Sequence, residues 1–179
     1  MTTTALQSYL QSRAPADRRA AFAELLSSHG PAIRRTCRGF ERSPSRQEEL
    51  QQDVLVEVWR ALPRLESAAA ARSWVLRIAH NVALKHVRYE APRSAAAPVL
   101  PVEGACPAPA ADEALDQARR RARLAAAVHA LPALDRSLVL LWLEGLDHRA
   151  LAEATGLSPT NARTRLSRAR ARLRTTLGA

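Results

Sequence analysis

The chain has 179 residues, and its 27 Lys and Arg against 17 Asp and Glu give a formal net charge of +10, as expected of a protein that meets a polyanion. Cys37 and Cys106 stand in different segments without the CxxC or Cys/His spacing that would suggest a disulfide framework or a metal site, so they are read as buried or indifferent thiols. The first residues, MTTTALQSYLQSRAPADRR, lack the apolar core of a signal peptide, and no run of about 18 apolar residues occurs, so a soluble cytoplasmic protein is expected.

Strand signals are scarce, and Ala, Leu, Arg and Glu recur with helical spacing. This reads as an all-α chain of two small helical domains joined by a Pro/Ala-rich linker. Residues 1–16 are read as an N-terminal tail, 17–91 as the first domain, 92–112 as the linker and 113–179 as the second domain. In the first domain the pattern predicts helices over 17–28 and 31–40. Pro44 breaks the pattern before a third helix over 47–62, which Pro63 stops, and a fourth helix is predicted over 71–90.

The third and fourth helices carry two unusual faces. On the third, Leu50, Val54, Val58 and Leu62 form the inward stripe, while Glu49, Gln52, Asp53 and Arg60 line the other side around an exposed Val56. An outward apolar residue ringed by carboxylates suits a docking site for a basic protein partner, although a merely solvated acidic face would read the same way. On the fourth, Val75, Ile78, Ala79, Val82 and Tyr89 are placed inward, with Trp74, Arg77, Asn81 and Arg88 opposite and Lys85 nearby. An aromatic ring among cations is what a single-stranded nucleic acid requires, since a base stacks on the indole while arginines hold the backbone. A half-buried core tryptophan is the plainer alternative at the start of a helix.

The stretch APRSAAAPVLPVEGACPAPAAD holds five prolines and one glycine in 22 residues, which neither pack a core nor hold a helix. A helix then resumes over 113–131, LPALD forms a boundary, and three more helices follow. Residues 145–174, GLDHRALAEATGLSPTNARTRLSRARARLR, read as a helix, a tight turn and an arginine-rich second helix. Gly156 permits the turn, and Ser158 with Pro159 supplies the cap and first-turn proline. At 100° per residue Ala162, Leu166, Ala169 and Leu173 form one stripe, while Thr160, Thr164, Ser167 and Arg168 point away with Arg163 at their flank. Six arginines and no acid follow Ser158, which suits phosphate and base-edge contact in a major groove. The five histidines, at 29, 80, 86, 129 and 148, share no ligand spacing, so neither metal, cofactor nor catalytic group is assigned.

Three segments together resemble the extracytoplasmic-function group of bacterial RNA polymerase sigma factors, within the sigma-70 family. ELQQDVLVEVWRALPRL resembles the helix that contacts the clamp of the polymerase's largest subunit. RSWVLRIAHNVALKHVR resembles the segment that melts and reads the minus-10 element, and LPALDRSLVLLWLEGLDHRALAEATGLSPTNARTRLSRARARL resembles the helix-turn-helix that reads the minus-35 element. The resemblance implies a region 2 bundle and a region 4 helix-turn-helix domain, with core RNA polymerase, promoter DNA and an anti-sigma factor as partners and no membrane insertion. It puts Glu49, Gln52 and Asp53, with Arg60 on the same face, toward the polymerase clamp. Trp74, Arg77, Asn81, Lys85 and Arg88 go to the melted minus-10 element, and Arg163, Thr164, Ser167 and Arg168, with Thr160 on the same outward face and Arg149 near the phosphates, go to the minus-35 element. The chain departs from the family pattern at Arg149 and Ala150, where two glutamates are usual, at Lys85, where Asp is common, and at Asn161 and Ala162, which replace Thr-Val.

The function this implies is transcription initiation without a catalytic step: the chain binds core polymerase and confers promoter recognition. A polymerase-independent helix-turn-helix regulator is the alternative, and it would bind duplex DNA tightly on its own. A nuclease would need a carboxylate or His/Asp cluster, and Glu48, Glu49 and Asp53 have no second group beside them in sequence.

Overall fold

The computed structural model describes residues 4–94 and 111–178, and their regular structure is helical, with no strand among the described residues. In chain order the helices are α1 (Ala5–Ser12), α2 (Pro15–Phe40), α3 (Pro44–Ala61), α4 (Ala71–Ser94), α5 (Ala111–His129), α6 (Ala133–Leu143), α7 (His148–Thr155) and α8 (Pro159–Leu177). A 3₁₀ turn, Leu62–Arg64, follows α3. The all-α class read from the sequence is what the chain adopts. Residues 95–110, most of the expected linker and Cys106 with it, lie outside the described residues.

Three elements differ from the sequence reading. The expected N-terminal tail contains α1, started by a capping box between Thr4 and Gln7 and fixed by burial of Leu6 and Tyr9 in the first core. Arg13 closes α1 in the left-handed conformation (φ 53°), and its guanidinium donates to the carbonyls of Pro63 and Leu65 at 3.2 and 2.9 Å. The two helices expected over 17–28 and 31–40 are one, because α2 runs through Pro31. Proline inside a helix costs a hydrogen bond and a steric clash. Packing outweighs that cost here, since Leu25 before the proline and Ile33, Cys37 and Phe40 after it lie in one core. Pro44 does not break α3 but opens it, at the first turn where a missing N–H is harmless.

The first bundle packs α2, α3 and α4 around Leu25, Ile33, Leu50, Val54, Val58, Leu62 and Val75. Arg18 on α2 stacks its guanidinium 4.2 Å above the Trp59 ring and donates to the Trp59 carbonyl, while Phe22 meets the same ring edge-on at 5.2 Å. At the end of α2 the Glu41 carboxylate accepts from the N–H groups of Arg42 and Ser43 and meets His86 of α4 at 3.0 Å. Burial pushes the Glu41 carboxyl up, but the hydrogen bonds from His86, Ser43 and Arg42 outweigh it and hold the group below its ordinary value.

The second bundle closes around Leu131, Leu138, Leu141, Leu151, Leu166 and Ala169, and this cluster also takes in Ala32 of α2 and Leu76 of α4. Leu140 of α6 reaches the other way, packing on the first core where Gly39 leaves room; a Cβ at Gly39 would run into both Leu140 methyls. The two halves therefore share side chains across a common seam. There Arg136 lies 5.5 Å from the centre of the Phe40 ring and His129 Nε2 is 2.9 Å from the Arg38 carbonyl.

His80 of α4 is 1% exposed, and its Nδ1 has no partner among the described residues. Burial lowers its pKa to about 4, so the folded chain holds it neutral while the unfolded chain titrates near the ordinary 6.5. Its contribution to stability is whole above that ordinary value and is lost as pH falls toward the folded one. At pH 5 the loss from His80 amounts to about 2 kcal/mol relative to pH 7. Urea unfolding at both pH values is expected to show a pH 5 penalty smaller by that amount in His80→Leu; an unchanged penalty removes His80 as its source.

Candidate nucleic-acid interface

Three outward faces were expected, and the structure forms two of them as read. On α3, Leu50, Val54 and Val58 are buried, whereas Glu49, Gln52, Asp53 and Arg60 are exposed and Val56 is 44% exposed among them. Arg60 pairs with Glu57 at 3.1 Å, one helical turn back along the exposed surface. Glu49, Gln52 and Asp53 have no hydrogen-bond or ion-pair partner among the described residues.

The helix-turn-helix is built as its sequence implies. Asp147 caps α7 by accepting the Ala150 N–H at 2.8 Å, and Ser158 caps α8 by accepting that of Asn161 at 3.3 Å. Gly156 turns the chain between them with φ +70°, a conformation that a side chain would strain. Ala162, Leu166 and Ala169 are buried, while Thr160, Arg163, Thr164, Ser167 and Arg168 are exposed on α8. The Thr164 hydroxyl donates to the Thr160 carbonyl at 2.9 Å. Arg149, at the start of α7, is exposed and bound to Glu153 at 2.9 Å.

The six arginines of α8 divide into two sets. Arg165 donates to Asp135 at 2.9 Å, Arg172 lies 3.7 Å from the same carboxylate, and Arg170 sits 4.3 Å from the Trp142 ring centre. These three bind the helix to α6. Arg163, Arg168 and Arg174 have no partner among the described residues and are exposed. Asp135, 7% exposed, was not singled out by the sequence, where it is one acid in the LPALD boundary with partners 30 and more residues away.

The fourth helix differs from expectation at two residues. Arg77, Asn81, Lys85 and Arg88 are exposed as read, but Trp74 is only 9% exposed and packs with the first core. Side chains on a helix lean toward its N-terminus, and this first-turn residue shares the first core with Leu65. Trp74 and Arg77 then line a cleft of about 370 Å³ whose far wall is Ala150, Glu153 and Ala154 of α7. Tyr89, placed inward by periodicity, is 75% exposed, because the core contacts of α4 fade toward its C-terminal end. The face of α4 opposite the core is not open along its whole length either: Leu76 is buried in the second bundle's cluster.

A further group, Glu144, joins the halves. It ends α6, is 8% exposed, and accepts from Arg35 of α2 at 2.5 and 2.8 Å and from Arg72 of α4 at 3.1 Å. Arg72 also donates twice to the Glu144 carbonyl, at 3.1 and 2.7 Å, satisfying a backbone acceptor at the end of α6. Among the described residues there is no group of three His, Cys, Asp or Glu placed to hold a metal ion.

Comparison with known proteins agrees with this geometry. Residues 25–93 match Sigma-70 region 2 and residues 121–173 match Sigma-70, region 4, which defines a two-part sigma-70 protein with the first bundle and the helix-turn-helix in that order. The chain is 30% identical over 158 residues to the RNA polymerase sigma factor CarQ of Myxococcus xanthus, spanning 88% of this chain and 90% of CarQ. It is 31% identical over 157 residues to the ECF RNA polymerase sigma factor RpoE of Cereibacter sphaeroides, spanning 87% and 85%. Its fold is similar to that of the Bartonella quintana sigma factor RpoE, solved with the anti-sigma factor NepR, at a TM-score of 0.68 and 23% identity over 88% of this chain and 97% of that one. The chain belongs to the extracytoplasmic-function group of the sigma-70 family, and its function is promoter recognition in transcription initiation.

The division of arginines is open to direct measurement. Arg165→Ala is expected to lower the unfolding free energy by about 1–2 kcal/mol, because it removes the one hydrogen bond in the structure to the nearly buried Asp135 carboxylate and leaves it only the longer contact with Arg172. Arg163→Ala and Arg168→Ala are expected to stay within about 0.5 kcal/mol of the parent chain. Chemical denaturation followed by circular dichroism decides between these outcomes.

Proposed function

We propose that the three outward faces divide the work of promoter recognition. Glu49, Gln52, Asp53 and Arg60, around Val56, dock the chain on a basic surface of core RNA polymerase. Arg77, Asn81, Lys85 and Arg88 hold the melted minus-10 element, with Trp74 offering a stacking surface once it is uncovered. Thr160, Arg163, Thr164, Ser167 and Arg168 read the minus-35 duplex, and Arg149 reaches its phosphates. The second half of the chain, joined through residues 92–112, acts as a separate reader of the upstream element, so two DNA sites are held at once.

The observation that carries the reading is the sorting of charge on α8: Arg165, Arg170 and Arg172 meet Asp135 and Trp142 of α6, while Arg163 and Arg168, beside Thr164 and Ser167, have no partner among the described residues. An arginine without a protein partner on the exposed side of a capped recognition helix is available for bidentate contact with guanine or for phosphate. The exposed face of α3, where Glu49 and Asp53 have no partner among the described residues, has the opposite character and suits a protein surface, not DNA.

The chain performs no chemistry of its own in this scheme and acts in the cytoplasm. No described helix is long and apolar enough to cross a membrane. The Bartonella relative was solved in a complex with an anti-sigma factor, and a protein of that kind is the proposed regulatory partner here.

Run-off transcription with core polymerase, with the chain present or omitted, tests the scheme as a whole. Asp53→Arg is expected to weaken association with core enzyme about tenfold or more, as like charges meet at the docking face. Arg168→Ala is expected to lose about 1–3 kcal/mol of promoter binding if it reads a base, with relaxed preference at one position. Tight, sequence-specific duplex binding by the chain alone, together with no effect on core polymerase, would instead favour an independent regulator.

A further inference from the structure

We propose that the exposed stretch of α5, residues 116–126, is a basic arm that grips the phosphate backbone of the promoter duplex beside the segment read by α8. The inference rests on the assignment of α8 to duplex DNA made above, because α8 is what brings the arm to DNA.

The stretch has no buried side. Every residue from Asp116 to Ala126 is exposed, and burial resumes only at Ala127 and Val128. Within it stand Arg119, Arg120, Arg121 and Arg123. Arg119 lies 3.5 Å from Asp116, one turn back, and the other three have no partner among the described residues.

These arginines are not spaced to hold their own helix together. An acid three or four residues from an arginine stabilises a helix, and like charges at that spacing do the reverse. Arg123 stands four residues after Arg119 and three after Arg120, and neither Arg121 nor Arg123 has an acid at either spacing. A polyanion laid along the stretch turns that repulsion into attraction.

The chemistry fits nucleic acid better than a protein surface. At 100° per residue Arg119, Arg120 and Arg123 fall within about 100° of arc, and Arg121 stands about 100° further round. Leu124 lies between Arg120 and Arg121 on this wheel and is the one large apolar side chain of the stretch, at 46% exposed. A protein interface needs a core depleted of charge, which a single leucine with an arginine on each flank does not offer. Phosphates require only positive charge and donors, and the guanidinium supplies both.

The placement fits as well. Ala127 and Leu131 of α5 line one cleft with Ala171 and Leu173 of α8, so the arm is carried with the recognition helix. Arg123 and Arg120 precede Ala127 by four and seven residues, which sets them on the same side of α5 as that contact. Arg119 stands eight residues out from Ala127, about 12 Å along the axis. Duplex DNA carries one charge per about 1.7 Å, so this reach spans roughly seven of them. With α8 in a groove, the arm extends the contact along the backbone without reading a base.

The test uses the full chain assembled with core polymerase. The probes are a genomic duplex that run-off transcription identifies as a template, and the same duplex with its upstream element scrambled. Three altered chains are compared with the parent: Arg120→Ala, Arg121→Ala and Arg123→Ala combined, the same three positions changed to Lys, and Arg168→Ala. Circular dichroism verifies that each is folded. The triple alanine chain is expected to bind both duplexes more weakly by the same factor. It is also expected to flatten the slope of log affinity against log salt by about 2–3, at about 0.9 per phosphate contact. The lysine chain is expected to keep the parent slope. A parent slope in the alanine chain overturns the arm. So does weaker association of that chain with core polymerase in the absence of DNA, which makes α5 a protein-docking surface, or weaker binding of a single-stranded RNA with promoter binding unchanged. If Arg168→Ala leaves both duplexes bound as before, the reading of α8 falls, while the slope of the alanine chain still decides whether α5 holds phosphates.

Discussion

The Glu144 carboxylate leaves water only because Arg35 and Arg72 meet it, and that requirement fixes where α6 must end: against the flank of α2 and the first turn of α4. Once the end of α6 is placed, the Gly145 turn brings α7 against α4, and α8 packs on α6 and α7. Removing a charge from water is costly, and a buried ion pair repays it only when hydrogen bonds are well made. Here the carboxylate accepts from two guanidiniums, and the neighbouring carbonyl accepts from one of them as well. The interaction contributes less to raw stability than to a defined arrangement of two bundles that each possess a core.

The large positive charge of this chain is not one property but two. Part of it is internal mortar: Arg13 ties α1 to the turn after α3, Arg18 joins α2 to Trp59, and Arg165 and Arg172 share Asp135. Another part stands exposed on α4 and α8, where Arg77, Lys85, Arg88, Arg163 and Arg168 have no partner among the described residues. Net charge alone does not separate these uses, although only the second kind attracts a polyanion at close range. The planar guanidinium suits both tasks, because it forks onto carbonyls and carboxylates inside and onto phosphates and bases outside. A lysine-rich chain of equal charge would not hold the same seams.

Helices with a single buried face were legible in the sequence. The stripe Leu50, Val54 and Val58 on α3 and the stripe Ala162, Leu166 and Ala169 on α8 follow from a 3.6-residue period, and the caps at Asp147 and Ser158 follow from hydrogen-bond chemistry. The exposed faces opposite these stripes came with them. α4 was only half legible because it is buried from two sides: Val75 and Ala79 face one core and Leu76 the other cluster, so a wheel drawn for one buried face misplaces Trp74 and Tyr89. Pro31 looked like a boundary because the local cost of proline is visible in sequence and the compensating burial of Ile33 and Phe40 is not. Glu144 and Asp135 were not legible at all. Each is an ordinary acid until folding brings it arginines from far along the chain.

Asp135 lies in the first turn of α6 and Glu144 just past its last, nine residues apart and therefore about 14 Å by the rise of an α-helix. One end grips the recognition helix, the other grips the first bundle. This short strut carries orientation from one half to the other as long as both ends hold. Because the two grips are chemically alike but independent, the Asp135 end holds α8 against α6 by contacts that owe nothing to those of Glu144 with the first bundle.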